Sequence, residues 1–330
     1  MDNLCHTLVG LALAEAGLKR RTALGTATLA IAANLPDVDV LGIPLGHSVD
    51  FRRGVTHGLP ALVVLPVLLT GAVVLWDRLV RRRRGAGARA PVRPWWVLLL
   101  ALVATLTHPL LDWLNNYGMR WLMPMSGKWY YGDAIYIVDP WLLVALLAGV
   151  LLSRRRRRAD APRAGRPARL ALAACVAYIA AMLGLTAAGR WVVRRDLIGG
   201  VFATGKPRFM VGPRAVSPLD KQVVVDAGDR YLLTTLRLRP GGSRLDAVRE
   251  VPKQLADSAA RAALASPEGR KFARWSRFPF AVVDRSSSGT TVGLDDARYS
   301  DGTAPSFARV TVRFPALHAG SSEQETGSWR

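Results

Sequence analysis

Half of the 330 residues are hydrophobic and the mean hydropathy is +0.17, too apolar for one ordinary soluble domain. The net charge of +21 gathers largely in RRRRGAGARAPVR at 81–93 and RRRRRADAPRAGRPAR at 154–169, each between apolar runs. That placement excludes nucleic acid as the expected partner and marks cytoplasmic loops beside anionic lipid, while two cysteines inside apolar segments, Cys5 and Cys175, exclude a disulfide framework.

The apolar runs lie before about residue 190. The first two, 4–18 and 22–36, are short and are split by LKRRT, which predicts a helical hairpin turning at a polar surface. No cleavable signal peptide is read there, because the N-terminus is acidic and His6 interrupts the run. The runs 59–80, 95–114 and 168–189 are each long enough to span, and 135–152 is so only with Asp139 at its end.

With the basic loops inside, the start of the first helix, Asp37, His57, the His108–Asp112 end and Asp139 all fall on the outer face. That convergence requires both arms of the hairpin to cross. Beyond 190 the pattern changes. KQVVVDAGDRYLLTTLRLRP predicts two strands around an Ala-Gly-Asp turn, FPFAVVDRSSSGTTVGLDDARYS and FARVTVRF predict more, and Val248, Val251, Leu255 and Ala259 predict a helix over 245–266.

The expected fold is therefore an all-α multi-pass membrane helix bundle of about five to six apolar helices at 1–190. A small extracytoplasmic α+β domain follows at 191–318, with a disordered tail at 319–330.

Six ionisable residues inside or at the ends of the apolar runs stand out: His6, Asp37, Asp39, His57, His108 and Asp112. Charge at bilayer depth is costly and marks function. His108 and Asp112 are four apart and share a helix face, although Pro109 predicts a kink or a helix start. Asp37 and Asp39 in LPDVD suit a loop or frayed end where both turn to one cation; the plainer alternative is a cap and a solvated carboxylate. Arg53, in RRGVTH, is a candidate clamp for a phosphate or carboxylate, or else a lipid anchor. His47 is left outside the ligand set, and Cys5 reads as a small buried hydrophobe.

Mixed histidine and carboxylate ligands suit zinc or manganese foremost. Six of them exceed what one tetrahedral zinc needs and would serve one or two ions, two being bridged by an aspartate. Such a centre activates water without a serine or cysteine nucleophile. The chain carries no G-x-S-x-G, H-E-x-x-H or P-loop.

The ordered set His6, LPDVD at 35–39, RRGVTHG at 52–58 and HPLLDWLNNYGMRWLMP at 108–124 resembles the YdjM-type family of membrane-bound predicted metal-dependent hydrolases. WYYGDAIYIVDPW at 129–141 resembles its longer members, which carry an extra soluble C-terminal part. The resemblance implies an inner-membrane hydrolase with His6, Asp37, Asp39, His57, His108 and Asp112 as metal ligands. Arg53 and Gly54 match the pair before the histidine, and Asp133 and Asp139 match later acidic positions that could add ligands. Gly58 departs from the family, where serine is common, a change expected to affect capping.

The expected function is a metal-dependent hydrolase at the outer face of the cytoplasmic membrane, acting on a lipid or lipid-linked phosphoester. In it Asp37 or Asp39 is the general base and Arg53 stabilises negative charge. The alternatives are a structural metal site beside a partner- or envelope-binding C-terminal domain, and, ranked last, a transporter with carboxylates along an ion path.

Overall fold

The computed structural model describes residues 1–42, 51–81, 90–199 and 207–315, so His47 and the tail at 319–330 lie outside the described residues. Helix α1 (Asn3–Glu15) starts where Asp2 accepts a hydrogen bond from the Cys5 amide at 3.0 Å. It packs against α2 (Gly25–Ala32), as the expected hairpin. The 13 and 8 residues of these helices rise only about 20 and 12 Å, short of a hydrocarbon core of about 30 Å. Neither arm is long enough to cross, which corrects the assumption behind the one-face expectation. The convergence arises differently, from a short hairpin lying along a long helix.

That long helix is α4 (Pro94–Leu114), and it pairs with α3 (Ala61–Trp76). Among the described residues, the stretches long and apolar enough to cross a membrane are Ala61–Arg81, Pro94–Leu114 and Arg166–Ile198, matching three expected spans. Helix α4 continues through Pro109, neither starting nor ending there. Helix α5 (Pro140–Arg158) begins later than the run at 135 suggested, because Asp139 accepts from the Trp141 and Leu142 amides and caps it. It lies against α6 (Arg166–Val192). Between α4 and α5 the chain forms an irregular loop, tied by the Met119–Tyr130 and Asn115–Ile135 bridges.

By its contacts the chain divides into two compact units. The first holds Met1–Ala227 and Leu232–Glu250, so a sheet belongs with the helices. Strands β1 (Phe209–Pro213), β2 (Asp220–Asp226), β3 (Arg230–Arg239) and β4 (Gly242–Leu245) follow one another in that sheet. Val211 faces Val223 across the β1–β2 pair, and these residues with Leu236 pack on Val192, Val193 and Leu197 at the end of α6. The Ala-Gly-Asp turn joins β2 to β3 as expected, with Gly228 at φ +89°, where a side chain would be strained.

The second unit holds Gly228–Tyr231 and Val251–Arg330. It contains an antiparallel sheet of β6 (Pro279–Ser286), β7 (Gly289–Asp296) and β8 (Val310–Pro315). Short strand β5 (Arg249–Pro252), which precedes it, pairs with β3 and begins in the first unit. The helix expected over 245–266 is shorter: α7 (Ser258–Ala265) starts only after Asp257, whose carboxylate accepts from the Ala259 amide at 2.8 Å. Val251 lies in β5 and Gln254 takes φ +50°, which no helix continues through. Helix α8 (Pro267–Trp275) follows at once, with Ser266 as its cap.

Candidate metal centre

All six expected ligands come together at one end of the helical bundle, and each is buried. His6 comes from the first turns of α1, and His108 and Asp112 from the last turns of α4. Asp37 and Asp39 come from a 3₁₀ segment, Leu35–Gly42, that continues from α2; His57 ends the short turn Val55–His57. The turn geometry resolves the spacing problem of two carboxylates two apart, since a 3₁₀ segment need not place them as an α-helix would.

The side chains form two groups sharing His108: His6 with His108 and Asp112, and Asp37 with His57 and His108. His57 Nε2 lies 3.2 Å from His108 Nε2 and 3.6 Å from Asp37 Oδ1. Asp112 Oδ2 is 3.5 Å from His108 Nε2 and 3.6 Å from His57 Nε2, while its other oxygen, Oδ1, is 3.5 Å from His6 Nε2. Donor atoms about 2.0–2.2 Å from one ion at tetrahedral angles stand roughly 3.3–3.6 Å apart. The observed separations are those of atoms sharing an ion. The two oxygens of Asp112 face different histidines, the arrangement a bridging carboxylate needs.

Proton bookkeeping supports the same fit. His108 Nδ1 lies 2.7 Å from the Ala33 carbonyl, which can only accept, so this nitrogen carries a proton and the neutral tautomer with that proton would turn its Nε2 lone pair inward. There it meets another ring nitrogen and two carboxylates, most of which are acceptors. Among the described residues neither ring nitrogen of His6 has a hydrogen-bond partner, Asp112 standing beside it at 3.5 Å, although the ring is fully buried and stacked on His108 at 3.7 Å. A buried polar atom left so costs about 1–3 kcal/mol. A cation among these atoms removes the conflict, and the donor set could hold a metal ion.

The surrounding shell explains the two remaining sequence candidates. Asp39 Oδ2 stands 3.4 Å from His57 Nδ1, behind the ring rather than inside either ligand group, and accepts from the Arg53 amide at 2.8 Å. That is the carboxylate–histidine arrangement that orients metal ligands. Arg53 is buried with its guanidinium fully occupied: Nη2 donates to Asp112 Oδ1 at 2.9 Å, and Nε lies 2.9 Å from Oδ2. Its Nη1 donates to Asn115 Oδ1 at 3.2 Å and to the Gly118 carbonyl at 2.7 Å. The ring of Tyr117 covers it at 4.4 Å. Arg53 takes φ +54°, a left-handed conformation costing about 1–2 kcal/mol, which these bonds offset. The amino group of Met1 also donates to Asp112 Oδ1.

The sequence alone does not single out Asn115 or Arg120, and it offers Arg52 only as an anchor to lipid headgroups. Arg52 pairs with Asp37 at 2.6 Å and with Asp39 at 3.2 Å, and its side chain is 19% exposed, at the rim of the cluster. Arg120 donates to the Arg52 carbonyl at 2.9 Å and stacks on Trp129 at 4.8 Å, pinning the segment that carries both arginines. Only Asn115 had a legible signal, as the polar residue following the apolar run of α4. Gly58 is explained by packing rather than capping: a Cβ there would stand 2.0 Å from the Met123 carbonyl oxygen. Asp133 and Asp139 lie outside the cluster. Asp133 accepts from Arg190 at 3.0 Å, and Asp139 caps α5 and accepts from the Tyr178 hydroxyl at 3.1 Å. Cys5 packs in the apolar core with Leu8, Leu111 and Leu146.

Residues 1–189 match the family described as YdjM inner membrane protein. The chain is also 26% identical over 163 residues to an uncharacterized protein of Bacillus subtilis (strain 168), YfhP; the match covers 46% of each chain, about half the relative's length. No solved structure matches. The chain belongs to the YdjM inner membrane protein family.

Proposed function

We propose that the chain is a membrane-bound, metal-dependent hydrolase working at the outer face of the cytoplasmic membrane on a lipid or lipid-linked phosphoester. The observation that carries this reading is the meeting of buried acceptor atoms of His6, Asp37, His57, His108 and Asp112 at ion-sharing distances. One or two divalent ions held there would supply Lewis acidity and bring the pKa of water down towards about 7.

The protein's own groups divide the remaining work. Asp39 is outside both ligand groups; its Oδ2, which accepts from the Arg53 amide, stands 3.4 Å from His57 Nδ1 and serves as the general base through that ring, with Asp37 the second candidate. Arg53 fixes Asp112 through both oxygens and delivers its positive charge to the centre through that carboxylate. Arg52, at the rim, is the cation placed to meet an incoming anionic group. Buried ligands at the end of a spanning helix favour a substrate drawn from the bilayer.

Burial also favours a second reading. His6, His57 and His108 are fully shut from solvent, as in a closed structural site that fixes the bundle. The test is release of phosphate or headgroup by zinc- or manganese-loaded protein from a panel of phospholipids and polyprenyl phosphates. The hydrolase reading expects turnover that Asp39→Asn lowers by at least about tenfold with metal still bound. Metal-loaded protein that cleaves nothing in the panel, and loses its fold when the metal is stripped, supports the structural reading instead.

A further inference from the structure

The five consecutive arginines at 154–158 would ordinarily be read as one solvated face. In the structure they separate by function. Arg154 and Arg157 turn towards α1, where Glu15 pairs with them at 3.5 and 2.8 Å. Arg156 points elsewhere. With Arg166, at the first turn of α6, it lines a cavity of about 540 Å³ between α5 and α6. Ala148, Leu152, Leu170 and Ala174 form the apolar walls, and Leu152 and Leu170 are 50% and 59% exposed along it.

The depth of this groove has a packing cause. A Cβ on Gly149 would stand 2.4 Å from the Ala171 Cβ, so the two helices approach closely there and leave only small side chains on the floor. From Ala145 to Arg156 the groove follows α5 for about 16 Å, the reach of much of an acyl chain. Its end is cationic and underused. The Arg166 guanidinium has no partner among the described residues, and Arg156 reaches only the Pro162 carbonyl, at 3.4 Å.

An apolar trough ending in two arginines complements one chemical class, an amphiphile with an anionic head. We propose that the α5–α6 groove is a binding site for one acidic phospholipid, its phosphate between Arg156 and Arg166 and one acyl chain along Ala148, Leu152, Leu170 and Ala174. The site does not depend on the hydrolase reading. It shares the end of the bundle that holds Glu15, about 14 Å along α1 from His6, and uses no residue of the metal centre. The bound lipid would fasten the α5–α6 pair at the end where the basic loops meet the headgroups.

The test uses full-length protein, delipidated in neutral detergent and titrated with phosphatidylglycerol or phosphatidylcholine, with binding read by native mass spectrometry. Wild type should retain phosphatidylglycerol in preference to phosphatidylcholine. R156Q/R166Q should weaken phosphatidylglycerol about thirtyfold, and the charge-matched control R155Q/R158Q should not. Ala148→Trp, which fills the trough, should weaken the lipid as well, with Ala174→Leu in its place should the tryptophan variant fail to fold. Inorganic phosphate should not compete. Three results would overturn the site: unchanged affinity in R156Q/R166Q, an equal loss in R155Q/R158Q, or phosphate competing while groove-filling variants bind normally, which marks a headgroup-only anion site.

Discussion

Two regions of this molecule bury carboxylates beside arginines, and only one of them resembles a place for a metal. In the C-terminal unit, Asp296 is shut from solvent and fully answered by donors. Arg298 donates from its amide at 2.9 Å and its guanidinium at 2.9 and 3.0 Å, and Ser276, Arg277 and Phe278 donate at 2.6, 2.7 and 3.1 Å. Neighbouring Asp295 accepts from Arg309 at 2.9 Å and the Ser306 amide at 3.1 Å. Every oxygen faces a proton. At the helical end, ring nitrogens face carboxylate oxygens and each other at 3.2–3.7 Å, and the His6 ring has no hydrogen-bond partner among the described residues. Buried charge alone does not mark a functional site; an excess of acceptors over donors does.

The sharpest way to break that contrast is to remove one carboxylate from each region. Asp296→Ala leaves Arg298 buried without its anion and should destabilise the C-terminal unit by about 3–5 kcal/mol. Limited proteolysis should then cut within 251–315 while bound metal stays at the wild-type level. His108→Ala should do the reverse. It should weaken metal binding by more than about a hundredfold, beyond what loss of a supporting partner costs, as read by competition with a chelator, with the C-terminal unit still resistant to protease. Loss of metal in Asp296→Ala, or an unchanged affinity in His108→Ala, would erase the distinction.

Acid sharpens the contrast further. Burial pushes the Asp296 carboxyl up, but the Arg298 charge and the hydrogen bonds of Arg298 and Ser276 outweigh it and bring its pKa to about 2, below the usual 3.8. A depressed folded-state pKa stabilises above the unfolded value and is lost as pH falls, so about 2 kcal/mol of the unit's stability should vanish between about pH 4 and pH 2. Chemical denaturation of wild type and Asp296→Asn at several pH values measures this, since the variant should lack that acid-sensitive component. An effect of similar size is expected at Gly58. Gly58→Ser must push back the Met123 carbonyl, and it should lower stability by about 1–3 kcal/mol in thermal melts, although serine is the residue its family resemblance would suggest.

Much of this was legible in the chain. The i, i+4 pair His108–Asp112 and the isolated acidic and histidine positions in apolar runs named all six members of the cluster, because charge at such depth has few explanations. Three spans followed from length and apolarity alone. Roles were harder to read than membership. Nothing local distinguishes Asp39, which sits behind His57, from Asp37, which stands in a ligand group; that difference is set by a 3₁₀ segment and by a turn 14 or more residues away. Arg53 read as a free clamp because its partners Asn115 and Gly118 lie over 60 positions downstream. The helix expected over 245–266 failed for a different reason: an apolar spacing was matched, but the cap at Asp257 and the φ of Gln254 outweighed it.

The most direct measurement is the metal content of detergent-purified full-length protein by elemental mass spectrometry, wild type beside His57→Ala and Asp112→Ala. The acceptor-rich centre calls for one or two zinc or manganese ions per chain in wild type and for their loss in both variants, each still folded by circular dichroism. Wild-type protein that binds no divalent ion after loading and desalting, with both variants equally stable, would contradict it and return these histidines and aspartates to a structural role.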